Sequence, residues 1–216
     1  LAWCLILSAL RSVPQEVAAL KSGRWQSTIG HCLRGRMLGI LGYGRIGAVL
    51  ARYAKAFEMN VLAWGRAKSA ERARADGVEF AASKEALFER SDVLTLHVRL
   101  TPETRGLVTA ADLGRMKPDS LIVNTSRAGL IEPGALVAAL KGGRPGMAAV
   151  DVYEEEPMLN PDHPLLKMNN VVCTPHLGYV ERAGYERIFG AAFGQILAFI
   201  DGKPFNVINP EALKKP

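Results

Sequence analysis

Residues 37–47 read Met-Leu-Gly-Ile-Leu-Gly-Tyr-Gly-Arg-Ile-Gly. Met37 to Leu41 is an apolar run of the length of one buried strand. Gly42-Tyr43-Gly44-Arg45-Ile46-Gly47 then has GxGxxG spacing. Beyond it, Ile46, Val49, Leu50, Tyr53 and Phe57 recur at helical intervals, so the glycines stand between a strand and a helix. In that setting the first glycine permits a tight turn and the second lets a pyrophosphate approach the backbone. The third lets helix and strand pack closely. Backbone N–H groups and the helix dipole then face an anion. The stretch reads as a dinucleotide cradle. A plain glycine turn is the alternative, and the flanking strand and helix argue against it.

Downstream, Val61 to Trp64 is a second apolar strand. A carboxylate that holds the adenosine ribose usually ends this strand. Here Gly65 and Arg66 stand in its place. A guanidinium suits a 2′-phosphate, so the pair favours NADP over NAD. The alternative is an arginine merely solvated beside an NAD site.

The alternation continues along the chain. Val78 to Phe80 is a short strand, and Ser83 can cap a helix to about Arg90. Val93 to His97 is the next strand. Thr109 and Asp112 resemble a capping box before Leu113 and Met116. Leu121 to Asn124 is again apolar. Pro133 suits the first turn of a helix that ends at Gly142-Gly143. Ala148 to Val152 and Val171 to Thr174 complete the strands. Together these predict an α/β fold, a doubly wound parallel sheet of Rossmann type with helices on both faces.

Two segments stand outside this alternation and predict flanking helices. Residues 1 to about 25 read as helix bent near Pro14. Residues 182–200 read as an amphipathic helix with Tyr185, Phe189, Ala192, Ile196 and Phe199 on one side. The expected division is therefore N-terminal helices at 1–25 for an interdomain or dimer contact. A dinucleotide-binding domain follows at 26–178, then a C-terminal helix and tail at 179–216 belonging to a substrate lobe. The chain opens on Leu1 within an apolar run, as a segment of a longer protein would.

That opening run, LAWCLILSAL, has no basic segment before it and is too short to span a bilayer. It predicts a buried helix, and no membrane partner. The net charge is +6, with one loose cluster at Arg66, Lys68, Arg72 and Arg74. Basic residues without interleaved aromatics point to small phosphate-bearing molecules and not to nucleic acid. Cys4, Cys32 and Cys173 have no metal-type spacing, so no metal site is expected and the expected compartment is a reducing cytoplasm. His31 and His163 lie outside every motif and read as surface residues.

Five ordered segments resemble the D-isomer-specific 2-hydroxyacid dehydrogenases. They are GILGYGRIG at 39–47, LHVRLTPETRGLV at 96–108, VNTSRAGLIE at 123–132, AAVDVYEEEP at 148–157 and TPHLG at 174–178. The resemblance implies an oxidoreductase that moves hydride between NAD(P)(H) and a small-molecule 2-hydroxy or 2-oxo acid, working as a homodimer. It implies a catalytic trio of Arg127, Glu156 and His176. It also implies that Asp151 meets the nicotinamide amide, with a purely structural role accepting N–H bonds as the lesser alternative for a carboxylate ending an apolar strand. The candidate cofactor contacts are Gly42, Gly44, Arg45, Ile46, Gly47, Gly65, Arg66, His97, Val98, Arg99, Thr104, Thr125, Ser126, Asp151 and Gly178. The family's second lobe, built mostly from residues preceding this domain, is absent from the chain. Arg99 replaces a common proline, and Tyr179 and Val180 follow Gly178 in place of smaller types. Two alternatives remain: a dinucleotide-sensing scaffold like the related corepressors, and a truncated cofactor-binding paralogue without turnover.

The residue types of the trio suit reduction of a 2-oxo acid. Arg127 offers a fork of donors to the carboxylate. A histidine exchanges protons near neutrality, which suits His176 to the acid/base role, and a glutamate beside it favours the imidazolium. Taken singly, each has a plainer reading. Arg127 caps a strand end or binds phosphate, His176 is a partly buried core histidine, and Glu156 belongs to the solvated run Glu154-Glu155-Glu156. Their shared position just after strands argues for the site, because open α/β sheets bind ligands there.

Overall fold

The computed structural model describes residues 1–214. Two helices come first, α1 (Ala2–Leu10) and α2 (Val13–Lys21). Seven strands follow: β1 (Met37–Leu41), β2 (Asn60–Trp64), β3 (Glu79–Phe80), β4 (Val93–Leu96), β5 (Leu121–Asn124), β6 (Met147–Val150) and β7 (Val171–Cys173). They form one parallel sheet in the order β3-β2-β1-β4-β5-β6-β7. Parallel neighbours need crossovers, and helices supply several of them. These are α3 (Arg45–Ala56), α4 (Ala67–Ala75), α5 (Lys84–Arg90), α6 (Ala110–Gly114) and α7 (Ala135–Lys141). A last helix, α8, runs Arg182–Ile200.

The period-two alternation of the strands makes two cores. Leu38, Ile40, Val61, Ala63, Val93 and Val123 point to the face covered by α1, α3 and α4, where Ile6, Leu50 and Ala73 meet them. Leu41, Leu62, Leu94, Leu96, Ile122 and Val150 point to the other face, under Phe88 of α5, Leu113 of α6 and Leu140 of α7. Both faces are therefore apolar, as a covered parallel sheet requires.

The register decides where the loops meet. Leu41 pairs with Trp64 on one side and with Leu96 on the other, while Leu96 pairs with Asn124, and Asn124 with Val150. Val150 pairs with Cys173. The segments after β1, β2, β4, β5, β6 and β7 thus emerge along one edge. The chain order reverses between β1 and β4, which opens a crevice at that edge.

Several elements differ from expectation. The N-terminal segment is two helices, parted at Arg11-Ser12 with Ser12 at φ 49°, and Pro14 sits in the first turn of α2 where its missing N–H costs nothing. Residues Leu1–Gly178 form one compact unit, so α1 belongs to the cover of the sheet. Its Leu5, Ile6 and Leu10 are buried, and it lies against β5, β6 and β7. On α3 the buried face is Gly47, Leu50, Ala51 and Ala54. Small residues face the sheet because the helix lies close to it. Tyr53 and Phe57 of the expected stripe turn outward to the Trp3 ring, at centroid distances of 5.9 and 5.2 Å. Helix α7 begins only after Gly134, whose φ of +74° ends the turn that Pro133 opens.

His31 and His163 are half-buried, not surface residues. His31 Nδ1 lies 2.9 Å from Arg36 Nη2. His163 Nδ1 accepts from the Leu165 N–H at 3.3 Å, and its ring meets Tyr153 edge-on at 5.8 Å.

Residues Tyr179–Pro216 make a second compact unit. Its helix α8 has a wider apolar face than expected: Ile188, Phe193, Leu197 and Ile200 are exposed as well as Tyr185, Phe189, Ile196 and Phe199, and at helical spacing all eight fall on one half of its circumference. Tyr185, Phe189 and Phe193 stack in series, with centroids 5.8 and 6.3 Å apart. No helix among the described residues is long and apolar enough to cross a membrane.

Candidate active site

The glycine turn begins where β1 ends. Gly42 N–H donates to Trp64 O at 2.8 Å, and His97 N–H donates to Leu41 O at 2.7 Å, so the turn is fastened to both neighbouring strands. Gly42 has φ +94°, and a Cβ there would lie 2.8 Å from the His97 carbonyl. No other residue type fits either its conformation or its space. A Cβ on Gly44 would meet nothing within 4 Å. Open space therefore faces the middle of the turn, as an approaching pyrophosphate requires. A Cβ on Gly47 would lie 3.0 Å from Ile40 Cγ2 and 3.1 Å from Gly42 O, which is the close helix–strand contact. Ala48 N–H bonds to Gly44 O at 3.0 Å, so the N–H groups ahead of it in α3 point out of the helix end. The residues present thus fit a dinucleotide: a cradle that a side chain would fill, at a helix N-terminus.

At the end of β2, a Cβ on Gly65 would lie 2.8 Å from Ser69 Oγ. Arg66 is the exposed N-cap residue of α4, in extended conformation. Glu103 lies within its electrostatic reach. The Thr101 hydroxyl and its own backbone N–H hold the Glu103 carboxyl below its usual value, and the Arg66 charge adds to them.

After β4, the His97 ring nitrogen Nε2 lies 2.9 Å from Thr95 Oγ1. Burial pushes its pKa down to about 4, so the ring is neutral. Val98 O accepts from Ser126 Oγ at 2.8 Å, which ties this loop to the next. Arg99 is exposed and Thr125 half-buried. Thr104 is buried and donates to Arg99 O at 2.7 Å, so its hydroxyl braces the loop from within.

The three loops after β5, β6 and β7 carry the trio. Asn124 closes β5 with a buried amide. Its Oδ1 accepts from Ser126 N–H at 3.0 Å and its Nδ2 donates to Arg127 O at 3.0 Å. That brace presents the exposed Arg127, whose Nη1 donates to Ser126 O at 2.6 Å. Glu156 Oε1 accepts from Tyr153 N–H at 2.9 Å, while Oε2 meets His176 Nδ1 at 2.5 Å. Burial alone would raise the Glu156 carboxyl. The Tyr153 N–H, the His176 ring and the Arg127 charge outweigh it and hold the carboxyl below its ordinary value. Glu156 and His176 are therefore in contact, with Arg127 in electrostatic reach.

Asp151 is fully buried at the end of β6. Its Oδ1 accepts from Thr174 Oγ1 at 2.6 Å and Leu177 N–H at 2.7 Å; its Oδ2 accepts from Gly178 N–H at 2.9 Å. Both oxygens of Asp151, and the N–H of Gly178, take part in folding the His176 loop onto β6. His176 itself has φ 53° within that loop. Tyr153 completes the clasp, its hydroxyl donating to Thr174 O at 3.0 Å.

Asn124 and Tyr153 are the site residues that sequence reasoning missed. Asn124 had a readable signal, a polar residue closing an apolar strand, since a buried amide needs partners. Tyr153 had none, because its partners lie on another strand's loop. A fixed carboxylate–imidazole pair beside a guanidinium can bind an anion and exchange a proton with it.

Known proteins resemble this chain over most of its length. The family model of the D-isomer specific 2-hydroxyacid dehydrogenase, NAD binding domain, matches residues 3–178. A glyoxylate reductase from Aeropyrum pernix is 40% identical over 98% of this chain and 66% of its own length. A D-3-phosphoglycerate dehydrogenase from Archaeoglobus fulgidus is 43% identical over 80% of this chain and 33% of its own. The crystal structure of an oxidoreductase from Ralstonia solanacearum superposes with a TM-score of 0.95 at 54% identity, over 99% of this chain and 66% of that one. The chain thus spans at most about two thirds of these relatives. It belongs to the D-isomer specific 2-hydroxyacid dehydrogenase family, whose NAD(P)-binding domain it carries.

Proposed function

We propose that the protein reduces a small 2-oxo acid to its 2-hydroxy acid, and runs the reverse oxidation, with NAD(P)(H). The observation that carries this reading is the 2.5 Å contact between His176 Nδ1 and Glu156 Oε2. With Nδ1–H committed to the carboxylate, proton exchange falls to Nε2. In reduction, Nε2–H gives its proton to the carbonyl oxygen of the substrate and leaves a neutral imidazole; in oxidation the proton returns. Arg127 binds the substrate carboxylate and orients the carbonyl toward His176. The bound nicotinamide supplies or accepts the hydride. Contacts run from Gly42 through His97, Val98 and Ser126 to Asn124 and Arg127, and these support a single reaction crevice.

Arg66 favours the 2′-phosphate of NADP, with Glu103 as the competing charge. The active form is a homodimer. In keeping with the names of the relatives, glyoxylate and phosphoglycerate-type acids are the first substrates to try. The test follows NADH and NADPH absorbance over glyoxylate, hydroxypyruvate and pyruvate, and NAD+ and NADP+ reduction with D-3-phosphoglycerate. Turnover of at least one acid is expected. Cofactor binding with no turnover of any would overturn the proposal.

A further inference from the structure

Within the glycine turn, Tyr43 points inward. It is 2% exposed, whereas Arg45 and Ile46 are exposed. Its ring passes beside Gly47, with Cδ2 3.7 Å from where a Cβ would stand. Its hydroxyl donates to Asp76 Oδ2 at 2.9 Å. Asp76 is the C-cap residue of α4, and its backbone is held from both sides: its N–H donates to Arg72 O at 3.0 Å, and its carbonyl accepts from Lys55 Nζ at 3.0 Å. Tyr43 is thus moored to both helices that flank the turn.

The hydroxyl is not needed to satisfy Asp76, which is exposed and open to water. It lies at a surface cavity shared with Ala48, Ala51, Arg52 and Lys55. The ring alone would fill the space beside Gly47. What the bond fixes is the backbone. Tyr43 lies between two glycines, the residues with the most conformational freedom to lose. An anchored Tyr43 removes that freedom before a ligand arrives, so less ordering is left to be done on binding.

We infer that Tyr43 and Asp76 form a positioning pair, which holds the turn from behind so that its N–H groups are aligned for the cofactor diphosphate. The inference rests on reading that turn as the cofactor site. Burial first, and then the hydrogen bond and charge of Asp76, push the Tyr43 hydroxyl up to about 12, against the opposing charges of Arg72 and Arg52. It therefore stays a donor at any working pH.

The experiment compares Tyr43→Phe, Asp76→Ala and Asp76→Asn with the wild type. It reads cofactor Kd from reduced-nicotinamide fluorescence, cofactor KM against kcat, and Tm. Tyr43→Phe and Asp76→Ala should each raise Kd and KM about three- to tenfold, the worth of one such bond. The loss should appear in KM and not in kcat. Asp76→Asn keeps an acceptor and should bind nearly as the wild type does. Combining Tyr43→Phe with Asp76→Ala should add nothing to either alone. Unchanged Kd in Tyr43→Phe and Asp76→Ala, with or without a lower Tm, overturns the inference; so does equal weakening in Asp76→Asn. If the wild type binds neither NADH nor NADPH, the cofactor reading of the turn fails first and the inference falls with it.

Discussion

His176 and Arg66 carry the two sharpest predictions at the scale of single residues. Replacing His176 with Gln removes the group proposed to exchange a proton at Nε2 and leaves the glycine turn untouched. Turnover should fall about 10²–10⁴-fold, while cofactor affinity stays near that of the wild type. Steady-state rates beside a cofactor titration measure both, and undiminished turnover would exclude His176 as the acid/base. Arg66→Ala should weaken NADPH binding about tenfold or more, the worth of a hydrogen bond to a charged group, and leave NADH nearly unaffected. Equal loss of both would remove the 2′-phosphate assignment. His97 gives a pH dependence. Its folded pKa of about 4 lies below the ordinary 6.5, so the unfolded chain binds the proton first. The stability it contributes is present above pH 6.5 and is lost as the pH falls toward 4. The loss is of order 3 kcal/mol at most. Unfolding midpoints measured across this window should fall on acidification, and fall less in His97→Gln; parallel curves would contradict it. The glycine turn was legible because it sits in one short local pattern; the trio is reached only through the resemblance of the segments that carry it, since each member taken singly has a plainer reading. Asn124 and Tyr153 were not legible, because they act on backbone atoms that the strand register brings to them.

Among the elements, the strands were legible and the helix faces less so. Each strand is an apolar run that a sheet covered on both sides requires, and no neighbour was needed to see it. The orientation of α3 depends on how closely it approaches β1, which Gly47 and the small Ala51 and Ala54 allow. Counting large apolar residues therefore gives a stripe turned away from the buried face, with only Leu50 common to both. Likewise the burial of α1 was legible in its apolar run, but nothing local says that it packs against β5, β6 and β7. The loops after β6 and β7 depend on each other in the same non-local way, and Asp151 is the test. An amide at that position can accept from Thr174 and Leu177 only by turning its NH2 toward the Gly178 N–H. Asp151→Asn should cost about 1–3 kcal/mol, seen as a Tm lower by several degrees. Because the His176 loop loosens with it, kcat should fall too. A full Tm with full kcat would mean that the clasp is dispensable.

For the molecule as a whole, one feature of the first unit that the site does not explain is an apolar groove. Trp3, Leu7, Val13, Val17, Leu20 and Trp25 line it, and it encloses about 810 Å³. Leu20 is 58% exposed, Trp25 76% and the nearby Ile29 97%. Helix α1 spends one side on the sheet, so α1 and α2 together leave their other sides bare. A monomer rarely leaves a contiguous patch of this kind open. A two-fold pairing of identical helices would cover it on both copies at once, because the same patch then meets itself. The homodimer proposed above should therefore use α2. Val17→Glu with Leu20→Glu places four buried carboxylates in such an interface without touching the core of either copy, since both side chains are exposed in the single chain. Light scattering at micromolar concentration should find twice the chain mass for the wild type and the single mass for the double variant, with the circular dichroism of both alike. A wild type already at single mass would exclude the dimer, and a variant still at double mass would move its interface away from α2.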